Sequence, residues 1–238
     1  GGDSLWYHLP FAAHIAQTGS LTDLLFTDPL YLNWLYPQNS ELLHADALLL
    51  FGNDFLSPLL NLAWLCLALL AAWCIGRPYG AGAPAVAAMA ALCSANLLFS
   101  RQPGNANNDI VAIALLLTSV AVLVNARSAT SRGVLVVAGL AAGLALGTKL
   151  TVVPPVGALT IGLVAIAPAG ERLRAAAAWL GGVFAGGGLW YVRDVVVSGS
   201  PLPFVDLGPI SKPEELAGRD PYAIVHYLTD TGVWGRFF

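Results

Sequence analysis

The chain has 238 residues, of which 57% are hydrophobic and only 11% charged, with a formal net charge of −3 and a mean hydropathy of +0.69. A soluble domain carries about 25% charged residues, so a deficit this large points to a membrane protein before any segment is considered. Nothing in the charge balance suggests nucleic acid. The three cysteines (Cys66, Cys74, Cys93) lie inside apolar runs and read as small buried hydrophobes rather than a disulfide frame or a metal site.

Residues 1–54 are not a membrane span. They hold six acids (Asp3, Asp23, Asp28, Glu41, Asp46, Asp54), three histidines and no lysine or arginine. Leu5, Leu9, Ala12 and Ala16 recur at helical spacing, so about 4–18 is expected to be an amphipathic helix ended by Gly19. Asp23 to Asn39 is a loop rich in aromatics. Asn39 or Ser40 is placed to cap a second short helix, which runs to Phe51 and stops at Gly52-Asn53. Both helices are too short and too polar to cross a bilayer and suit its surface.

A span needs about 20 apolar residues at a rise of about 1.5 Å each. Six stretches read as spans: 55–76, 81–100, 109–126, the shorter 133–148, 150–169 and 175–192. The expected fold is therefore an all-α polytopic bundle with an extracytoplasmic loop that carries short amphipathic helices. Alternating the loops leaves Arg77, Arg127, Arg132, Arg172 and Arg174 on one side against a single acid, Glu171. Basic residues in short loops mark the cytoplasm. Residues 1–54, Arg101 to Asn108, Lys149 and 193–238 then face outward, at the plasma (cell inner) membrane. Gly139, Gly143 and Gly147, with Gly181-Gly182 and Gly186-Gly187-Gly188, suit close helix packing in lipid. The chain opens on Gly1 without a signal peptide, and Gly235-Arg236-Phe237-Phe238 has no stop-like character. It reads as part of a longer membrane protein.

The stretch Gly2-Asp3-Ser4-Leu5-Trp6-Tyr7-His8-Leu9-Pro10 sets an acid among aromatics ahead of the spans. Asp3 is a candidate catalytic carboxylate just outside the bilayer. Trp6, Tyr7 and Tyr36 suit an interfacial belt and can also line a sugar site. Asp109, after Asn105-Ala106-Asn107-Asn108, either caps a helix N-terminus or acts as a metal or acceptor ligand. Lys149, Arg101 and Arg193 are either ordinary interfacial cations or ligands for a lipid phosphate, the arginines through forked contacts. Glu41 and His44 are three apart on one helical face and suit a surface role, a metal or an acceptor.

The order of these landmarks resembles the GT-C superfamily of integral-membrane glycosyltransferases, most of all the bacterial relatives of protein O-mannosyltransferases and aminoarabinose transferases. The resemblance rests on Asp3 to Pro10, Tyr36-Pro37-Gln38-Asn39-Ser40-Glu41-Leu42-Leu43, Asn108-Asp109 leading into a span, and Gly143-Leu144-Ala145-Leu146-Gly147-Thr148-Lys149. Trp190-Tyr191-Val192-Arg193 with Gly199-Ser200-Pro201 completes it. It implies inverting transfer of a sugar from a polyprenyl-phosphate donor on the extracytoplasmic side, with Asp3 as general base and membrane lipid as surroundings. It leaves the acceptor open. A divalent cation, Mg or Mn, is an expected cofactor, although Ser4 stands where many relatives carry a second acid and Asn108-Asp109 where some carry paired acids. The rivals are a secondary transporter, which needs discontinuous helices repeated in two halves, and a scaffold without a site, in which Asp3, Asp109 and Lys149 lie far apart.

Overall fold

A computed structural model describes residues 4–23, 33–94, 105–126, 131–203 and 232. The described residues contain eight α-helices: α1 Leu9–Thr18, α2 Asn39–Phe51, α3 Leu56–Gly76, α4 Gly82–Cys93, α5 Asp109–Asn125, α6 Arg132–Leu146, α7 Val153–Ile166 and α8 Arg172–Ser198. A single π turn, Ser4–His8, leads into α1, and a 3-10 turn, Leu150–Val152, leads into α7. The chain divides into two compact units. One holds residues 1–23 and 36–190, and the other holds 24–35 and 191–238.

The first two helices stop where glycine permits it. Gly19 and Gly52 take φ of 66° and 67°, and their N–H groups bond back to the carbonyls of Ile15 and Leu48. This left-handed cap closes a helix without steric cost only when no side chain is present. The expected N-cap of α2 is corrected: Gln38 holds that position and makes no side-chain cap bond, while Asn39 is the first helical residue. Asp109 likewise is not the cap of α5. Asn108 is, and Asp109 follows it in the first turn, where the helix dipole favours a carboxylate.

Two helical stretches, Leu56–Tyr79 and Arg172–Ser198, are long and apolar enough to cross a membrane. Gly82–Cys93, Asp109–Asn125, Arg132–Leu146 and Leu150–Ile166 are apolar and shorter. The six expected stretches thus each carry a helix. That of 81–100 is described only to Ser94, and α8 extends past residue 192 to Ser198. α3 is turned polar side inward. It buries Ser57, Asn61 and four Ala or Gly residues and exposes Leu59, Leu62, Leu70 and Trp73. Polar groups inside and large apolar groups outside is the arrangement hydrocarbon demands, because lipid offers no partner to an amide or hydroxyl. Cys66 belongs to that outer face and is exposed, contrary to the buried role expected of it.

In the first unit α3 packs on α4 and α5, α5 on α6, and α1 on α2. Small side chains dominate the core, among them Ala68, Ala114, Ala138, Ala142 and Ala145. The glycine ladders bring α6 and α8 into backbone contact. A Cβ at Gly143 would fall on the carbonyl of Val183, and one at Gly187 on the carbonyl of Gly143. Trp179, buried on α8, gives its indole N–H to the Thr160 hydroxyl on α7 at 2.7 Å, which satisfies a polar group that lipid would leave unmatched.

Candidate functional site

Many polar residues of the first unit gather where residues 4–8, the start of α2 and residues 105–108 meet the start of α5 and the end of α6. Gly147 and Thr148 end α6, and its last carbonyls lack intrahelical donors, as at any helix C-terminus. Residues from distant segments supply them. The Asn39 N–H donates to the Gly147 carbonyl at 2.8 Å. The Asn39 side-chain amide donates to the carbonyls of Leu144 at 3.2 Å and Gly186 at 2.9 Å, and its Oδ1 accepts from the Trp190 indole at 2.8 Å. A Cβ at Gly147 would strike the Asn39 side chain, so glycine at 147 makes the approach possible. One asparagine thus joins α2, α6 and α8.

The link after α6 is held from α5. Asn108 is buried and turns its side-chain amide to the Thr148 carbonyl at 3.0 Å, which explains why it leaves its own helix uncapped by a side chain. Lys149 is extended there and forms an ion pair with Asp109, its ammonium also reaching Asn108 Oδ1 at 3.5 Å. Both charges are about one-third exposed, at 30% for Lys149 and 37% for Asp109.

The segment ahead of Asn108 is tied to two other parts of the unit. Asn61, buried in α3, donates to the carbonyls of Asn105 and Asn107. Ser4 is buried, donates its hydroxyl to Asn107 Oδ1 at 2.7 Å and accepts the Ala106 N–H at 3.0 Å. At the other end of the π turn His8 pairs with Glu41. The Tyr7 ring lies against the His8 imidazole with centroids 4.0 Å apart, while Trp6 is half exposed. His44, on the same face of α2 as Glu41, bonds Ser57 Oγ at 2.8 Å. Burial lowers the pKa of His44; Glu41 acts against this and His8 adds to it. Burial also raises the pKa of the Tyr36 hydroxyl.

The expected metal or acceptor set therefore divides: Asp109 is with Lys149, Glu41 with His8, and His44 with Ser57. Among the described residues no three His, Cys, Asp or Glu side chains gather as a metal site. They do not fit a resident divalent cation, and an ammonium already occupies the Asp109 carboxylate. Of the expected phosphate ligands, Lys149 stands at this junction. Arg193 belongs to the second unit, where it is buried and paired with Asp194 through Nε at 3.0 Å and Nη2 at 2.8 Å. Asp3 and Arg101 lie outside the described residues.

Sequence reasoning passed over Asn61 and Asn107 as side chains of consequence, and gave Asn39 a capping role alone. Asn61 had a signal, because a lone amide inside the apolar run 55–76 needs an internal partner. Asn39 and Asn107 had none, since their partners are remote in the chain.

An apolar helical chain with polar residues turned inward, and a cation–carboxylate pair held where several polar segments meet, has the character of a membrane-embedded transferase. Residues 42–186, more than half of the chain, match the family described as dolichyl-phosphate-mannose-protein mannosyltransferase, and the chain belongs to that family. It is accordingly a membrane glycosyltransferase that depends on a lipid-phosphate sugar donor. No curated protein and no solved structure matches it.

Proposed function

We propose that the protein transfers mannose from a polyprenyl-phosphate donor to a hydroxyl acceptor on the extracytoplasmic side, with inversion at the anomeric carbon. In this reading six spans separate an outer loop at 1–54 from outer residues 193–238. The acceptor oxygen attacks the anomeric carbon as the bond from that carbon to the phosphate oxygen breaks. The bonding pair leaves with the lipid phosphate, and the acceptor proton passes to a carboxylate, for which Asp3 is our candidate. The leaving phosphate gains charge, and a fixed cation beside it lowers the barrier most when water is sparse. Lys149 suits that role, because it can exchange Asp109 for a phosphate oxygen with little movement.

The observation that carries this reading is the stitching of the Lys149–Asp109 junction to the opening stretch. Ser4, bonded in the chain to Asp3, is anchored on Asn107, two residues before Asp109. Trp6, Tyr7 and Tyr36 are then available to flank a sugar, and Glu41, His44 and Asp109 serve to shape the acceptor side. Arg101 and Arg193 are further candidates for the donor's phosphate.

The test uses full-length protein in vesicles with polyprenyl-phosphate [3H]mannose, following loss of label from the lipid. Asp3→Asn should cut kcat by about 10²–10⁴-fold, the usual weight of a general base. Lys149→Met should lower kcat as well, while Glu171→Gln should not. An Asp3→Asn enzyme that turns over at the wild-type rate would remove Asp3 from this role.

A further inference from the structure

We infer that Glu41 is a positioning residue, which acts through His8 to set where Lys149 and Asp109 stand relative to each other. The two partners of that ion pair end different arms of the chain. Asp109 follows Asn107-Asn108, and Lys149 follows Gly147-Thr148. Packing of α5 on α6 fixes the helix axes. It does not fix Lys149, which is extended beyond the end of α6, or residues 105–108, which precede α5. What holds these arms is a series of links that returns on itself. Asn107 holds Ser4, the π turn joins Ser4 to His8, and His8 pairs with Glu41. Glu41 stands in the first turn of α2 with Asn39, Asn39 holds Gly147, and Thr148 is held by Asn108. The start of α2 is thus the strut between the arms. Asn39 grips the one that carries Lys149, and Glu41, by way of the π turn, the one that carries Asp109.

The chemistry of the Glu41–His8 link favours position over stability. Both side chains are buried, and the second Glu41 oxygen, Oε2, has no partner among the described residues. A buried carboxylate satisfied on one side adds little to stability or subtracts from it. The use best attested for buried polar or ionic groups of this kind is to fix register. The π turn suits such a link, because it is buried at its two ends, Ser4 and His8, and exposed between them at Leu5 and Trp6. Its five residues form one turn, so a shift of His8 is carried to Ser4 and on to Asn107. A shift of about 1 Å is enough to matter, since misplacement on that scale can cost about 10²-fold in rate. The consequence for transfer rests on the reading in which Lys149 meets the leaving phosphate; the geometric link does not.

The test reads the ion pair directly. Full-length protein in detergent is treated with formaldehyde and cyanoborohydride, and methylation of Lys149 is followed by mass spectrometry of its peptide. An ammonium held on a carboxylate reacts slowly, so release of the pair speeds labelling. Asp109→Asn sets the ceiling. Glu41→Ala and, at the other end of the π turn, Ser4→Ala should each raise the rate toward it by about 2–5-fold, the usual weight of a partly exposed ion pair. Glu41→Gln, which keeps a bond to His8, should raise it less. Gly182→Ala, a destabilising change set against Val136 and Leu140, should leave the rate where it is. Ser4→Ala removes a single oxygen and carries the test alone if Glu41→Ala does not fold. An unchanged rate in Ser4→Ala, or in a folded Glu41→Ala, would overturn the inference. So would no rise in Asp109→Asn, or an equal rise in Gly182→Ala, the mark of general loosening. Faster labelling with an unaltered kcat for mannose release would uphold the link and remove Lys149 from the reaction instead.

Discussion

At the scale of single residues, several buried polar side chains are matched to partners far along the chain. Asn39 is the clearest case, because its amide and backbone N–H together answer the carbonyl ends of α6 and a carbonyl of α8. An asparagine before an acid reads in sequence as a helix cap, and the position is indeed a helix start. The side chain is drawn away because an unmatched helix terminus at the membrane costs more than an uncapped one near water. His44 supports a pH prediction at this scale. Its pKa is lowered by burial, against the pull of Glu41. Below the usual histidine value of about 6.5, the unfolded chain takes up a proton that the folded site resists. The His44 contribution to stability is therefore complete above that value and is lost as pH falls through the lowered one. The melting temperature of full-length protein in detergent should drop on acidification through this window, and His44→Gln should flatten part of the drop. Identical slopes for the two proteins would exclude His44 as the source.

At the scale of elements, the glycines of α6 and α8 act through the backbone surfaces they expose. Gly181 and Gly182 are neighbours on one helix with opposite surroundings. A Cβ at 182 would meet the carbonyl of Val136 and, at 2.8 Å, the amide nitrogen of Leu140. At 181 nothing lies within 4 Å. Gly182→Ala should therefore destabilise by about 1–3 kcal/mol, the usual cost of overpacking. Gly181→Ala should be neutral or stabilise by up to about 1 kcal/mol through helix propensity. Thermal unfolding of both variants in one detergent decides this, and equal shifts would mean that the two helices do not meet at 182. The small-residue spacing was legible in the sequence as a packing surface. Which glycine of each pair faces the partner was not, since that depends on the rotation of α8 against α6.

At the scale of the whole molecule, the distribution of charge argues for sidedness. The proposed orientation puts Asn53 outside and Glu171 inside. In intact cells a membrane-impermeant maleimide should label Asn53→Cys in a cysteine-free background, and Glu171→Cys only after the cells are opened. The reverse pattern, or equal labelling of both, would refute the orientation drawn from the basic loops.

Composition and periodicity by themselves determined that the chain is an all-helical membrane protein, roughly where its helices lie, and that the first two stop at Gly19 and Gly52. Those properties follow from local hydropathy and from single residues such as Gly19 and Gly52, and need no knowledge of the rest of the chain. The order of landmarks from Asp3 to Arg193 also carried the family. Only the tertiary structure decided that Lys149 pairs with Asp109, that Ser4 rests on Asn107, that Glu41 faces His8 rather than solvent, and that α2 shows its leucines outward. Each of these joins residues brought together by helix packing, and the side a helix buries depends on its neighbours as much as on its own sequence.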